Sequence, residues 1–321
     1  MTSARSRLRR LLHPKVLIPL LLSLALLAAA FSLTDFSAVF DRGVHIPWQT
    51  LLLVLALAGL YLALKGWQFA RMLRAIGLQP PWRALLLAFS VGEMTLSLPF
   101  GVYSQNYVLQ RATGTPAARS TTVTTMMLVF ELGVALAVLA FCGIPGWPEL
   151  RPIALCILIL GSIGFGAFHR SQRLVILAVG LLPGDEHSRI RQISRTFLER
   201  LKALPALRIA VPNLLITLFY LLVLAFAFYL LGQRVSDSEL LFVQSLTVYV
   251  FALLVALLIG SLLSQIGVIE MAGLGAAKAW GIAPTDGLSM LLWFRLVWTA
   301  SIWLICAPLA FLLRSALDDS H

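Results

Sequence analysis

The sequence predicts an all-α integral membrane fold made of two inverted repeats, each with three crossings plus one re-entrant or broken-helix hairpin. Three observations carry this. The 321 residues are 60% hydrophobic and only 12% charged, with a mean hydropathy of +0.90, far outside the range of soluble globular chains. Long apolar windows recur along the whole chain, so it reads as a single polytopic domain over 1–321. Finally, Lys and Arg gather in alternate loops, as they do on the cytoplasmic side of a membrane.

Taken in order, the first 33 residues carry Arg5, Arg7, Arg9 and Arg10 before an apolar run from Val16. That run is about 18 residues, longer than the ~7–15 of a signal-peptide core, which favours an uncleaved first span. Further spans are expected near 15–34, 47–66, 119–142, 150–168, 209–232 and 286–313. Repeat 1 then covers about 15–142 and repeat 2 about 150–313. Two other apolar stretches, 83–100 and 239–263, each run into a short polar-flecked one. In the first, LPFGVYSQNYVLQRATG, Pro99 and Gly101 interrupt helix continuity while Ser104, Gln105, Asn106 and Gln110 supply polar groups, and Gln105, Asn106 and Arg111 are candidates for a substrate path. The largest polar segment, 169–208, contains Ile190, Ile193, Phe197, Leu201 and Leu204 at helical spacing among basic residues. It is expected to form a cytoplasmic amphipathic linker, lying on the membrane surface or docked on the bundle.

Charge decides the topology. If residues 83–114 enter and leave by the same side, both termini and the loops at 65–83, 101–119 and 169–208 share one side, which then holds 20 of the 25 Lys and Arg. A single crossing there would put the eight basic residues of 169–208 outside, against the positive-inside rule. The two halves are then upside down relative to one another. Gly101-Val102 and Gly267-Val268 begin the short pieces, Gly114 and Gly281 end them, and spans carrying Glu131 and Arg295 follow. Inverted repeats around discontinuous helices are the build of many secondary transporters, with a site near the midplane.

The stretch from 262 to 298 is the chemically densest, with Glu270, Lys278 and Arg295 among Gly267, Gly273, Gly275 and Gly281. An ionised group at mid-membrane costs at least about 2.5–3.5 kcal/mol and faces protein or water. From Gly267 to Gly281 a helix reaches only about 21 Å of the ~30 Å needed, so a re-entrant or broken helix is expected, an interfacial linker being the alternative. Glu131 and Arg295 lie about 10–12 residues into their spans, where they can meet near a pseudo-twofold axis. Such a pair serves either as a structural lock or as a substrate site. Glu93 and Glu270 are further candidates for a polar path, and Lys278 can snorkel to an interface. Tryptophans 48, 67, 82, 147 and 280 fall at expected span ends, like an aromatic belt.

No catalytic residue is assigned. The five histidines lie outside the span interiors and no HExxH is present. Cys142, Cys156 and Cys306 sit in apolar runs without ligand spacing, so neither a metal site nor a cofactor is expected. The one enzymatic reading uses Asp35 and Asp41 in the first outer loop, where polyprenyl-dependent glycosyltransferases place acidic residues.

LPFGVYSQNYVLQRATG followed by a span with FELG, and later GVIE, a Gly-rich stretch, WGI and a span with LLWFR, resemble the transmembrane flippase-like region of bacterial lysylphosphatidylglycerol synthases and their stand-alone relatives, some associated with hopanoid biosynthesis. No polar region is long enough for the soluble aminoacyl-transferase domain of the full synthases, and LLSQI replaces the usual Pro and paired-Gly approach to GVIE. The resemblance implies movement of phospholipids or isoprenoid lipids between leaflets of the bacterial cytoplasmic (inner) membrane, both termini being cytoplasmic. A glycosyltransferase and a scaffold for lipid-synthesis enzymes are the alternatives. Expected partners are membrane lipids with anionic headgroups, and nucleic acid is not among them.

The charge asymmetry makes a direct prediction. In a background lacking the native cysteines, single cysteines replacing Ser120 and Ser188 stay protected from impermeant thiol reagents in intact cells, while one replacing Ser236 reacts. Outside labelling at 188 would remove the inverted arrangement.

Overall fold

A computed structural model of the chain describes residues 14–32, 34–98, 101–170, 206–260 and 265–314. Pro99 and the amphipathic stretch at 188–204 lie outside the described residues. All regular elements among the described residues are helical: α1 (Pro14–Ser32), α2 (Phe36–Val44), α3 (Trp48–Ala75), α4 (Trp82–Thr95), a 3-10 turn (Gly101–Tyr103), α5 (Ser104–Thr113), α6 (Ala117–Cys142), α7 (Leu150–Arg170), α8 (Ala206–Val235), α9 (Phe242–Val255) continued by a π turn (Ala256–Gly260), α10 (Val268–Ala279) and α11 (Pro284–Leu312).

Among the described residues, six helices are long and apolar enough to cross a bilayer: α3, α6, Leu150–Ala167, Ala210–Val235, Phe242–Ile259 and α11. The expected first span, 15–34, corresponds to α1, and the chain then bends by 94° between Leu24–Ser32 and Ser37–Val44, because Asp35 accepts the Ser37 and Ala38 N–H groups and starts a new helix. One detail differs from the sequence expectation: the segment expected as one arm of the second hairpin, 239–263, is long enough by itself as Phe242–Ile259.

Glycine and proline set most of the boundaries. Gly114 ends α5 with φ 68° and Gly281 follows α10 with φ 77°, a conformation that suits glycine, and Pro116 and Pro284 stand where the next helix starts. Gly267 precedes α10 with φ 81°. By contrast Gly273 and Gly275, expected as breaks, lie inside the continuous α10. A Cβ on Gly273 would stand 2.6 Å from Leu291 Cδ2, so this glycine lets α10 and α11 approach closely.

Two helix pairs, each with at least one short member, fill the middle. α4 and α5 pack on each other, as do α9 and α10. The second pair is antiparallel: Trp280, just past the end of α10, donates its indole N–H to Thr247 Oγ1 near the start of α9 at 2.8 Å. Trp280 therefore ties a helix pair together instead of simply anchoring it at an interface, whereas Trp48, Trp67 and Trp82 are exposed as a belt requires. At the turn of the first pair, Thr95 Oγ1 lies 2.6 Å from Ser104 Oγ. At 14 and 12 residues, α4 and α10 are only about 21 and 18 Å long, short of the ~30 Å hydrocarbon core.

α8 is the hub. It packs on α3, α6, α9 and α11, and Tyr220, Phe228 and Leu231 on it are fully buried. At one end of the bundle Arg42 on α2 pairs with Asp286 at the start of α11 and with Asp237. Trp293 donates to the Val39 carbonyl at 2.8 Å, and its indole lies where a Cβ on Gly43 would be. α2 is thereby fastened to α11. Ser120 is 1% exposed, so packing alone protects it from thiol reagents, and position 188 is the discriminating one.

Gly101 sits where a Cβ would lie 1.7 Å from the Thr95 carbonyl oxygen. Backbone cannot yield as a side chain does, so Gly101→Ala is expected to open the turn between α4 and α5 and destabilise the protein by about 1–3 kcal/mol. Thermal unfolding in detergent measures this, and an unchanged transition would show that the turn is not tightly packed.

Candidate functional site in the bundle core

A cavity of about 120 Å³ lies at the centre, lined from α3, α4, α6, α8, α9 and α11 and from the turns of both helix pairs. At about 10–15 Å³ per water by this measure, it has room for on the order of ten waters. Its walls are aromatic and aliphatic, with Tyr61, Tyr220, Tyr249 and Trp298 among them, and its charged lining is Lys65, Glu93, Glu131 and Arg295.

Lys65 organises one side. Its ammonium donates to Tyr61 Oη at 2.7 Å and lies 3.2 Å from Glu93 Oε1 and 3.4 Å from Glu131 Oε1. Tyr61 in turn donates to Glu93 Oε2 at 3.2 Å, and Tyr220 donates to Glu131 Oε1 at 2.8 Å. The side chains of Lys65, Glu93 and Glu131 are 9%, 6% and 7% exposed, so the charges compensate one another in place of solvent. The lysine also lies over the Tyr61 and Tyr220 rings, 5.2 and 5.9 Å from their centroids. One turn on, Gln68 donates to Thr217 Oγ1 and the Asn213 carbonyl, binding α3 to α8.

Arg295 organises the other side. Its Nη1 donates to Glu270 Oε1 at 2.8 Å and to the Gln265 carbonyl at 2.9 Å. Glu270 Oε2 accepts the Gly267 N–H at 2.7 Å, closing the N-terminus of α10. A carboxylate suits this place because it satisfies an otherwise unpaired helix N–H. Arg295 Nη2 is buried without a hydrogen-bond partner among the described residues.

Several expectations change. Glu131 and Arg295 border the same cavity without pairing, because Lys65 takes Glu131 and Glu270 takes Arg295. Glu270 is 1% exposed with both oxygens engaged, so it clamps α10 to α11 and does not border the cavity. Gln105 and Asn106 both donate to Thr124 Oγ1, holding α5 on α6, while Gln105 also lines a small side pocket beside Glu93. Arg111 and Lys278 are exposed on their helices, away from the cavity. Asp35 is engaged as a helix cap, its Oδ1 also accepting the Ser37 hydroxyl at 2.8 Å.

Lys65, Tyr61 and Tyr220 were missed. Lys65 was counted with the loop at 65–83, yet it is 7% exposed within α3, leaving 19 basic residues in the one-sided count. The spacing Tyr61, Lys65, Gln68 places three polar groups on one face of an apolar helix, a signal that could have found them.

These features define a multi-pass integral membrane protein with a polar, ion-paired site inside an apolar helix bundle. The family described as Lysylphosphatidylglycerol synthase TM region matches residues 16–306, and the chain belongs to that family. No curated protein matches it significantly.

Removing one partner of a buried pair leaves the other charge uncompensated, at about 3–5 kcal/mol. Arg295→Gln is therefore expected to lower stability strongly, and Glu270→Gln/Arg295→Gln to recover much of the loss. Unfolding midpoints of the two variants against wild type check this; a double variant no better than the single one would mean that the pair is not coupled.

Proposed function

We propose that the protein moves a polar-headed lipid between the leaflets of the bacterial cytoplasmic membrane, using the central cavity as the headgroup site. Family membership supports a role with membrane lipids. The observation that carries the step to transport is a charged cavity of about 120 Å³ at the centre of an otherwise apolar bundle. A headgroup crossing hydrocarbon loses its hydration, and polar groups at mid-depth replace it. Arg295 Nη2, buried and without a partner among the described residues, offers a donor to an anionic headgroup oxygen, and the aromatic walls suit the less polar part of the molecule.

In this reading the two antiparallel helix pairs are re-entrant from opposite sides. α1, α3 and α6 are the crossings of the first repeat and α7, α8 and α11 those of the second, with the termini cytoplasmic. The one-sided basic charge supports that orientation, and alternating exposure of a fixed central site is the motion such repeats perform.

The test uses the purified protein in vesicles carrying a trace phospholipid with a fluorescent headgroup and an impermeant quencher added outside. Wild type is expected to render the inner-leaflet label quenchable. Arg295→Lys, which keeps the charge but not the two-pronged donor geometry, is expected to slow this at matched protein level. Protein-dependent loss of label protection for neither phospholipid nor isoprenoid-phosphate probes would overturn the transport reading.

A further inference from the structure

The buried side of the cavity built on Lys65 is unbalanced: two carboxylates, Glu93 and Glu131, face one ammonium within 3.2 and 3.4 Å. The other titratable groups facing it from neighbouring helices do not correct this. Tyr61 and Tyr220 donate neutral hydroxyls, Tyr249 on α9 is a further neutral wall, Cys306 on α11 adds only a buried thiol near Glu93, and Arg295 is matched by Glu270. An uncompensated charge on side chains only 6–9% exposed is strongly disfavoured. We infer that the Lys65–Glu93–Glu131 cluster binds one exchangeable proton, carried on Glu131, and that it is the protein's proton-coupling site.

The geometry selects Glu131. Both oxygens of Glu93 are engaged, Oε1 by Lys65 and Oε2 by the Tyr61 hydroxyl. Glu131 receives Lys65 and Tyr220 on the same oxygen, Oε1. Its Oε2 has no hydrogen-bond partner among the described residues and belongs to a side chain that borders the cavity. A proton from cavity water adds to that oxygen, neutralising the cluster. Its return to water leaves the second carboxylate charged and free to attract a cation or reorient the helices. No electron or further reactant is involved.

The binding itself is tested without lipid movement, by infrared difference spectroscopy of the purified protein at neutral pH. Wild type carrying carboxyl-13C glutamate is expected to show a deuterium-sensitive carbonyl band of a protonated carboxyl that shifts with the label. Glu131→Gln is expected to lose it. So is Glu93→Gln, because Lys65 and Glu131 then balance, so loss of the band in whichever variant stays folded assigns it to this cluster. Lys65→Met is expected to strengthen the band. Absence of the band in wild type overturns the proposal, as does its survival in both glutamine variants. Appearance of the band only when sodium is replaced by choline means that sodium occupies the site, and also overturns it.

The coupling arm rests on the transport reading: an imposed pH gradient across the vesicles is expected to bias labelled lipid toward one leaflet in wild type and not in Glu131→Gln. Lipid movement without the band sinks proton binding alone, the band without lipid movement sinks the transport reading alone, and band and movement without a gradient response sink coupling.

Discussion

Compensation of buried charge is the constraint on which this bundle depends. Hydrocarbon offers neither solvation nor hydrogen bonds, so every ionised group inside must find its partner in protein or trapped water. Lys65, Glu93, Glu131, Glu270 and Arg295 come from five different helices. Each pairing therefore also fixes how two helices stand against one another. The apolar contacts around them, such as the stacked Phe294 and Trp298 or the edge-on Tyr61 and Tyr220, supply packing that many arrangements could supply. Ion pairing is directional and excludes most of them.

The two charged groups divide their tasks. Glu270 and Arg295 act mainly as a clamp: the carboxylate closes the N-terminus of α10 while the guanidinium reaches the Gln265 carbonyl just before it. Only one edge of Arg295 remains available. The Lys65 cluster is looser, with longer ion-pair distances and one carboxylate oxygen unengaged. A tight clamp beside a loosely compensated group is a sensible division for a site that has to keep its shape while its occupant changes. The remaining breaks in helix continuity, around Gly101 and before Gly267, lie where the cavity is lined by backbone turns.

α2 adds a second level. Its bend at Asp35 takes the chain out of the first helix and across to α11, where Arg42 meets two aspartates and Trp293 meets the Val39 carbonyl. Trp293 stands two residues before Arg295 on the same helix. The fastening at the end of the bundle and the clamp in its middle therefore share one rigid element.

By itself the sequence determined the class of fold, the positions of nearly all the long helices and the identity of four of the five central charges. Those follow from composition, period and the punctuation of glycine and proline, which act locally along the chain. It did not determine who pairs with whom. Glu131 and Arg295 each read as about 10–12 residues into a span, which invites pairing, but the decision lay with Lys65, whose place near a run of basic residues disguised it as a loop charge. Likewise Glu270 read as part of a polar path beside a glycine-rich break, until α10 proved continuous and its N-terminus took the carboxylate. Partner choice depends on distances of a few ångströms between helices far apart in the chain, such as the 3.4 Å between Lys65 and Glu131, and only the packed bundle sets those distances.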